Sequence, residues 1–198
     1  GACSTMAESL CAAAMAVDGG FATHAACVTS SHFCTAERQF RTPLEYGGQR
    51  PPTSQWTVTG SGCVLLSPTA APPYITHCTV GEIVDMGVTD ANNMGAAMAP
   101  AAFTTLQQFF LSTGTSPKDY DLILSGDLGT IGRSIVKECF AEEGFDLSKN
   151  YDDCGCMIFD IKAQDVNSGG SGCGCAASVL TSYVLPRMAK GELNQVVF

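Results

Sequence analysis

Cys3 stands in the opening stretch Gly1-Ala2-Cys3-Ser4-Thr5-Met6-Ala7-Glu8. Thr5 followed three residues later by Glu8 has the form of a capping box, in which hydroxyl and carboxylate each satisfy a free N–H of a first helical turn. Met6, Leu10, Ala13, Ala14 and Val17 then recur at helical spacing, and Gly19-Gly20 supplies a stop. A thiol two residues ahead of such a helix lies in its electropositive field, which lowers the thiol pKa and makes the sulfur nucleophilic. The same local pattern also fits a small buried cysteine at a tight turn. Both readings stay open at this level.

A second group of chemically capable residues lies in the loop beginning at Ser31. It holds His32, Arg38, Arg41 and Arg50 among the turn residues Pro43, Gly47-Gly48 and Pro51-Pro52. Long loops inside compact domains are usually functional or disordered, and the aromatics and cations here favour function. Planar guanidinium forks suit carboxylate or phosphate. The alternative is that Arg38 and Arg41 pair with Glu37 and Glu45.

Gly126-Asp127-Leu128-Gly129-Thr130-Ile131-Gly132 falls between an expected strand and an expected helix, where a phosphate-binding turn belongs. Its spacing is GxxGxxG rather than GxGxxG, which favours a tight turn presenting Asp127 over nucleotide binding. Cys154-Gly155-Cys156 and Cys173-Gly174-Cys175 form two CxC units, whereas thiolate zinc sites usually use CxxC-type spacing. Packed small residues in glycine-rich turns is the favoured reading. His24, His32 and His77 lack metal-ligand spacing, and no histidine follows His77.

The elements that must position these residues alternate between helix and strand. Phe21–Ser30 reads as a short buried strand, and Gln55–Leu66 as a central strand interrupted by Gly60 and Gly62. Glycine inside a strand suggests a bulge or the close approach of another backbone or ligand. Ser67–Pro73 is a linker and the clearest boundary, and Tyr74–Val88 reads as a strand or hairpin around Gly81. Asn93–Phe110 is the longest helical segment, which Pro100 should kink or break. Tyr120–Leu124 is expected as a strand, Thr130–Gly144 as a helix and Cys156–Ile161 as another strand. Asn167–Gly174 is a glycine-rich loop, Ala176–Met188 a helix, and Gln195–Phe198 the start of a last strand. Alternation with buried strands predicts α/β layers.

Composition sets limits. The 198 residues are 45% hydrophobic and 15% charged, so the chain is globular rather than disordered. No apolar run approaches the roughly 18 residues of a membrane span, and no signal peptide or lipidation motif is present. The net charge of -9 argues against nucleic acid or an anionic membrane surface as the main partner. Eleven scattered cysteines, an odd number, do not form a disulfide framework, and they predict mostly free, packed thiols in a reducing compartment. The lack of an initiator Met, a helix with no strand feeding into it and a terminal strand cut short lead us to expect an internal fragment of a longer chain.

The strings GACSTMAES, TSSHFCTAERQFRTPLEYGGQRPP with WTVTGSG, NNMGAAMAPAA, YDLILSGDLGTIG, YDDCG and GGSGCGCAA run from Gly1 to about Ala177. Together they resemble the thiolase-like superfamily and, within it, the stage V sporulation protein AD family. The resemblance implies a layered αβαβα thiolase-like fold. Residues 1–68 would be the rear part of the N-terminal half, without its first strands. Residues 69–198 would be a C-terminal half truncated at its last strand. It places Cys3 at the nucleophile position, Ser125 near where ketoacyl synthases carry a histidine, and Cys173 near their asparagine. Ordinary condensing chemistry needs a proton-moving base, which Ser125 and Cys173 at these positions do not supply.

The resemblance further implies binding of dipicolinic acid in the former active-site cleft and its uptake into the developing spore. Membrane subunits of the same transport system would be partners, and the location would be the cytoplasmic side of the forespore inner membrane, peripheral to it. The expected ligand-binding residues are Cys3, His32, Arg41, Arg50, Asp127 and Cys173. No cofactor is expected, calcium entering only as part of the ligand. Two alternatives stand beside this reading, an acyltransferase carrying its acyl group on Cys3 and a structural subunit of a membrane transport complex. A homodimer is possible in this superfamily through a strand absent here, so the isolated chain is expected to be poorly soluble.

Overall fold

The computed structural model describes residues 2–35, 50–69 and 71–198. It is a mixed α/β structure in which a short 3-10 turn, Ala2–Ser4, leads into helix α1 (Thr5–Asp18). The N-cap of α1 is Ser4, whose hydroxyl donates to Glu8 Oε1 at 2.6 Å, so the capping box anticipated at Thr5 does not form. Thr5 turns instead toward the far end of the chain, its Oγ1 lying 3.9 Å from Cys173 Sγ.

Strand β1 (Ala25–Ser31) follows α1 and pairs antiparallel with β3 (Gly60–Leu66), with Thr29 opposite Gly62. The stretch read as one central strand is two, β2 (Trp56–Thr57) and β3. The glycines of β3 answer to a close backbone: a Cβ on Gly62 would stand 2.5 Å from the Ala177 carbonyl oxygen. The backbone that comes so near belongs to helix α5 (Cys173–Val179), which packs against β1, β3 and α1. Met6, Cys27, Val58, Leu124, Cys154 and Cys175 through Ala177 form one core cluster there.

The segment expected as a strand or hairpin over Tyr74–Val88 is neither. It has no regular element and no strand partner among the described residues, and Tyr74, Val80, Ile83 and Met86 are exposed. Strand propensity is realised only where a neighbouring edge and a buried face exist.

Helix α2 (Met94–Thr113) is capped by the Asn93 side chain and runs through Pro100 without a break. Proline removes one i→i−4 hydrogen bond, and the buried residues Ala99, Phe109 and Phe110 fasten the helix to the core on either side of that loss. Strand β4 (Leu122–Ser125) follows and leads into helix α3 (Gly129–Glu142). α2 and α3 cross at Gly95 and Gly132, where a Cβ on Gly95 would lie 2.3 Å from the Leu128 carbonyl oxygen. A second core cluster forms around Phe110, Ile123, Val136, Phe140, Leu147 and Tyr151.

Strand β5 (Tyr151–Asp153) pairs parallel with β4, and β4 pairs parallel on its other side with β7 (Val196–Val197), in the order β5-β4-β7. The residues after β5 correct a second expectation: Cys154–Met157 is a helical turn, α4, rather than the beginning of a strand over Cys156–Ile161. Gly155 lets this turn approach the next loop, since a Cβ there would meet the Gly170 carbonyl oxygen at 2.3 Å. Strand β6 (Gly170–Ser171) pairs parallel with β2. Beyond α5 the helix passes through a π-helical turn, Leu180–Val184, into α6 (Leu185–Ala189). Pro186 has no N–H to give the preceding turn, and a π-bulge is a usual way to accommodate that loss.

Candidate functional site

Three chain segments meet at Cys3: the turn before α1, the β4–α3 turn and the loop after β6. Cys3 is half-buried on the first of these. Its thiol donates to the Asp127 carboxylate, and the Gly172 N–H donates to Cys3. The same N–H reaches Asp127 Oδ2 at 2.9 Å. Asp127, 5% exposed, sits where a strand ends and a helix begins, as its motif suggested. Gln55 braces this turn, its Nε2 donating to the carbonyls of Asp127 at 2.7 Å and Gly170 at 3.0 Å.

The electrostatics run against a lowered thiol pKa. Burial first, and then the charge of Asp127 and the hydrogen bond to it, push the Cys3 thiol up to about 12. The Gly172 N–H pulls the other way and does not prevail. Asp127 is itself pushed up by burial, with the Cys3 and Gly172 hydrogen bonds opposing. At neutral pH Cys3 therefore keeps its proton and acts as a hydrogen-bond donor. The field of the helix N-terminus is real, but in a desolvated position beside a carboxylate it is the smaller effect.

Behind this pair lies a second buried acid that inspection of the sequence did not single out. Asp153, fully buried, accepts from Ser125 Oγ at 2.7 Å and from the N–H groups of Leu128 and Gly129 at 2.8 and 2.9 Å. It thus satisfies free donors at the start of α3 from a different strand. Burial pushes its carboxyl up to about 6 even against these three hydrogen bonds. Cys154 and Cys175, both buried, are pushed well up by burial and by neighbouring acids or thiols. The only available signal was the aspartate of Tyr151-Asp152-Asp153-Cys154, placed where a buried strand ends.

Cys173 joins the site through Thr5 and lies close enough to Cys3 for their charges to interact. Arg50 is reached indirectly. Its guanidinium lies 3.7 Å over the Trp56 ring and 5.4 Å from that of Phe33, and the two rings stack 5.1 Å apart. Trp56 pairs with Gly170, at the start of the loop whose Gly172 meets Cys3 and Asp127. Arg50 is linked to the Cys3 group only through Trp56 and that loop. His32 is exposed at the end of β1 and is not brought into the Cys3 group. Arg41 lies outside the described residues, as do Arg38, Glu37 and Glu45.

Among the described residues no cluster of three or more His, Cys, Asp or Glu could hold a metal ion. All eleven cysteines are unbridged, and Cys34, Cys63 and Cys78 are exposed rather than packed. Two hollows among the described residues lie away from Cys3. One, of about 270 Å³, is lined by Lys137, Phe145 and Leu147, and the other, of about 50 Å³, by Val80, Thr104 and Gln108. Among the described residues no helix is long and apolar enough to cross a membrane.

A comparison with protein families matches residues 1–198 to the model for stage V sporulation protein AD. Stage V sporulation protein AD of Bacillus subtilis (strain 168) is 50% identical over 196 residues, which are 99% of this chain and 58% of that relative. The chain therefore spans little more than half of the relative's length. Joined to the Cys3–Asp127 geometry and the glycine loop that carries it, these matches show that the chain belongs to the stage V sporulation protein AD family.

Proposed function

We propose that this protein binds dipicolinate, alone or as its calcium chelate, and supports its uptake into the developing spore. In this reading it works with membrane subunits on the cytoplasmic side of the forespore inner membrane and uses a degenerate thiolase-type site. One observation carries it: the residue at the nucleophile position is a protonated thiol held by a buried carboxylate. Residues 78–198 contain no histidine to take its proton. Such a centre donates hydrogen bonds but is a poor nucleophile.

Dipicolinate is a planar ring with two carboxylates. The helix N-terminus behind Cys3 favours one carboxylate, and the guanidinium of Arg50, on its aromatic platform, supplies a planar cation for the other. Arg41 completes the set in this reading, with Cys173 beside Cys3, while His32 stays outside it at the end of β1. The buried acids Asp127 and Asp153 repel a free dianion, so the calcium chelate is the better-matched species.

The test is calorimetric titration with dipicolinate, with and without calcium, on the full-length protein and its variants. Saturable binding that calcium strengthens and that survives Cys3→Ala is expected. Arg50→Ala should weaken it by roughly 10- to 100-fold, the worth of a charge-assisted hydrogen bond. Undiminished binding in an Arg41→Ala, Arg50→Ala double variant removes the arginines from the site. Absence of saturable binding, or an acyl group retained on Cys3 after incubation with acyl-CoA, overturns the reading in favour of an acyl-carrying enzyme.

A further inference from the structure

We propose that Gln55 is a positioning residue of the Cys3 site, its side-chain amide fixing Asp127 and Gly172 relative to each other. This rests on the reading that places the ligand at the Cys3–Asp127–Gly172 group. Gln55 is half-buried and immediately precedes β2. Two carbonyl oxygens face its Nε2, that of Asp127 at 2.7 Å and that of Gly170 at 3.0 Å. Two acceptors at one atom require a donor with two hydrogens, and among uncharged side chains only a carboxamide nitrogen has them. The amide also fills the space at the start of α3, where a Cβ on Gly129 would stand 2.9 Å from Nε2.

The Asp127 carbonyl belongs to a peptide unit held at both ends. Its oxygen accepts from Gln55, and its nitrogen, that of Leu128, donates to Asp153 Oδ2 at 2.8 Å. With this unit fixed, the direction in which the Asp127 side chain leaves the turn is fixed as well. Its carboxylate then meets the Gly172 N–H at 2.9 Å. On the other side, Gln55 holds the Gly170 carbonyl two residues before Gly172. One amide thus sets both partners of the Asp127–Gly172 hydrogen bond.

The neighbouring links do different work. The N–H groups of Trp56 and Val58 donate to the carbonyls of Gly169 and Ser171, both at 2.8 Å, and lay the loop alongside β2. At its far end the Gly174 N–H donates to Ser31 Oγ at 2.8 Å. These bonds hold the loop but do not touch the Asp127 turn. Thr130 joins α3 to the loop through Ser168, backbone to backbone at 2.9 Å and hydroxyl to hydroxyl at 3.0 Å, three residues beyond Asp127. Among these links Gln55 alone ties the Asp127 peptide itself to the loop. Methionine in its place keeps length and bulk but donates nothing, and both carbonyls lose their donor.

The full-length protein and its Gln55→Met and Thr130→Val variants would be alkylated with iodoacetamide between pH 7.5 and 9.5, with each cysteine followed by peptide mass mapping. Cys3 reports on the site, because its turn packs on α5 immediately after Gly172. Cys154 and Cys175, buried in the same core, report on general loosening. Burial is what chiefly keeps the Cys3 thiol protonated. In Gln55→Met the turn and loop part, the thiol gains solvent, and Cys3 should label at least about tenfold faster at every pH. Cys154 and Cys175 should keep their native rates, and Thr130→Val should leave Cys3 within about twofold of native. A native Cys3 rate in Gln55→Met would refute the proposal. So would a joint acceleration of Cys3, Cys154 and Cys175, or a Thr130→Val effect as large as that of Gln55→Met. The labelling uses no dipicolinate, so native protein that fails to bind dipicolinate overturns the functional reading separately. Native binding with Gln55→Met unchanged in both Kd and Cys3 rate overturns the role of Gln55 alone.

Discussion

Asp153 offers the sharpest test of the electrostatic argument, because two effects of opposite sign act on one fully buried carboxyl. Replacing it with alanine strands the N–H groups of Leu128 and Gly129 at the start of α3. Ser125 keeps a partner in the Tyr151 hydroxyl at 2.8 Å. Two stranded donors cost roughly 2–6 kcal/mol in total. Against this stands the cost of holding a charge there. The folded carboxyl titrates at about 6 rather than the ordinary 3.8, so the folded protein binds this proton more tightly than the unfolded chain does. Below about pH 4 both states are protonated and the full stabilisation is present. It is lost as the pH rises toward and through 6, and between pH 4.5 and 7.5 the loss is about 2 kcal/mol. The penalty of Asp153→Ala should therefore be larger at pH 4.5 than at pH 7.5 by about that amount. In a protein of this size that is a difference of roughly 4–8 °C in the Tm gap between the two proteins. Thermal melts followed by circular dichroism, run on both at both pH values, read this directly. A gap that is independent of pH, or wider at pH 7.5, would show that the hydrogen bonds outweigh desolvation and would refute the reasoning.

Other consequences are quicker to check. With its thiol pushed up to about 12, Cys3 should react with iodoacetamide at pH 7.5 at least about tenfold more slowly than exposed Cys34 or Cys63. Preferential labelling of Cys3, read by peptide mass mapping, would mean that the helix field dominates after all. Gly95→Ala would drive a methyl into the Leu128 carbonyl where α2 and α3 cross, and a loss of about 1–3 kcal/mol in urea unfolding is expected. An unchanged unfolding midpoint would show that the two helices part without cost.

Where local pattern and tertiary contact agree, the sequence was a good guide. α1 was visible from its apolar spacing and glycine stop, and α2 as the longest helical segment, although it runs through Pro100 without the expected break. Gly60 and Gly62 announced a close backbone, which turned out to be that of α5. The misreadings share a cause. Cys156–Ile161 is apolar enough for a strand, but Cys154–Met157 coils because Gly155 must pass against Gly170. Tyr74–Val88 has strand composition and no edge to join among the described residues. In both cases the deciding partner is remote in the chain.

The candidate site divides in the same way. The order of residues alone determined that a thiol precedes a helix, that an aspartate occupies a strand-to-helix turn, and that no histidine follows His77. It also determined the family, through long strings that no periodicity argument requires. Only the tertiary structure decided the sign of the Cys3 shift and brought Asp153 behind Asp127, while leaving His32 at the surface. The physical reason is that a pKa depends on solvent access and on charges within a few ångströms. Folding draws those neighbours from β4, β5 and the loop after β6, all more than a hundred residues beyond Cys3.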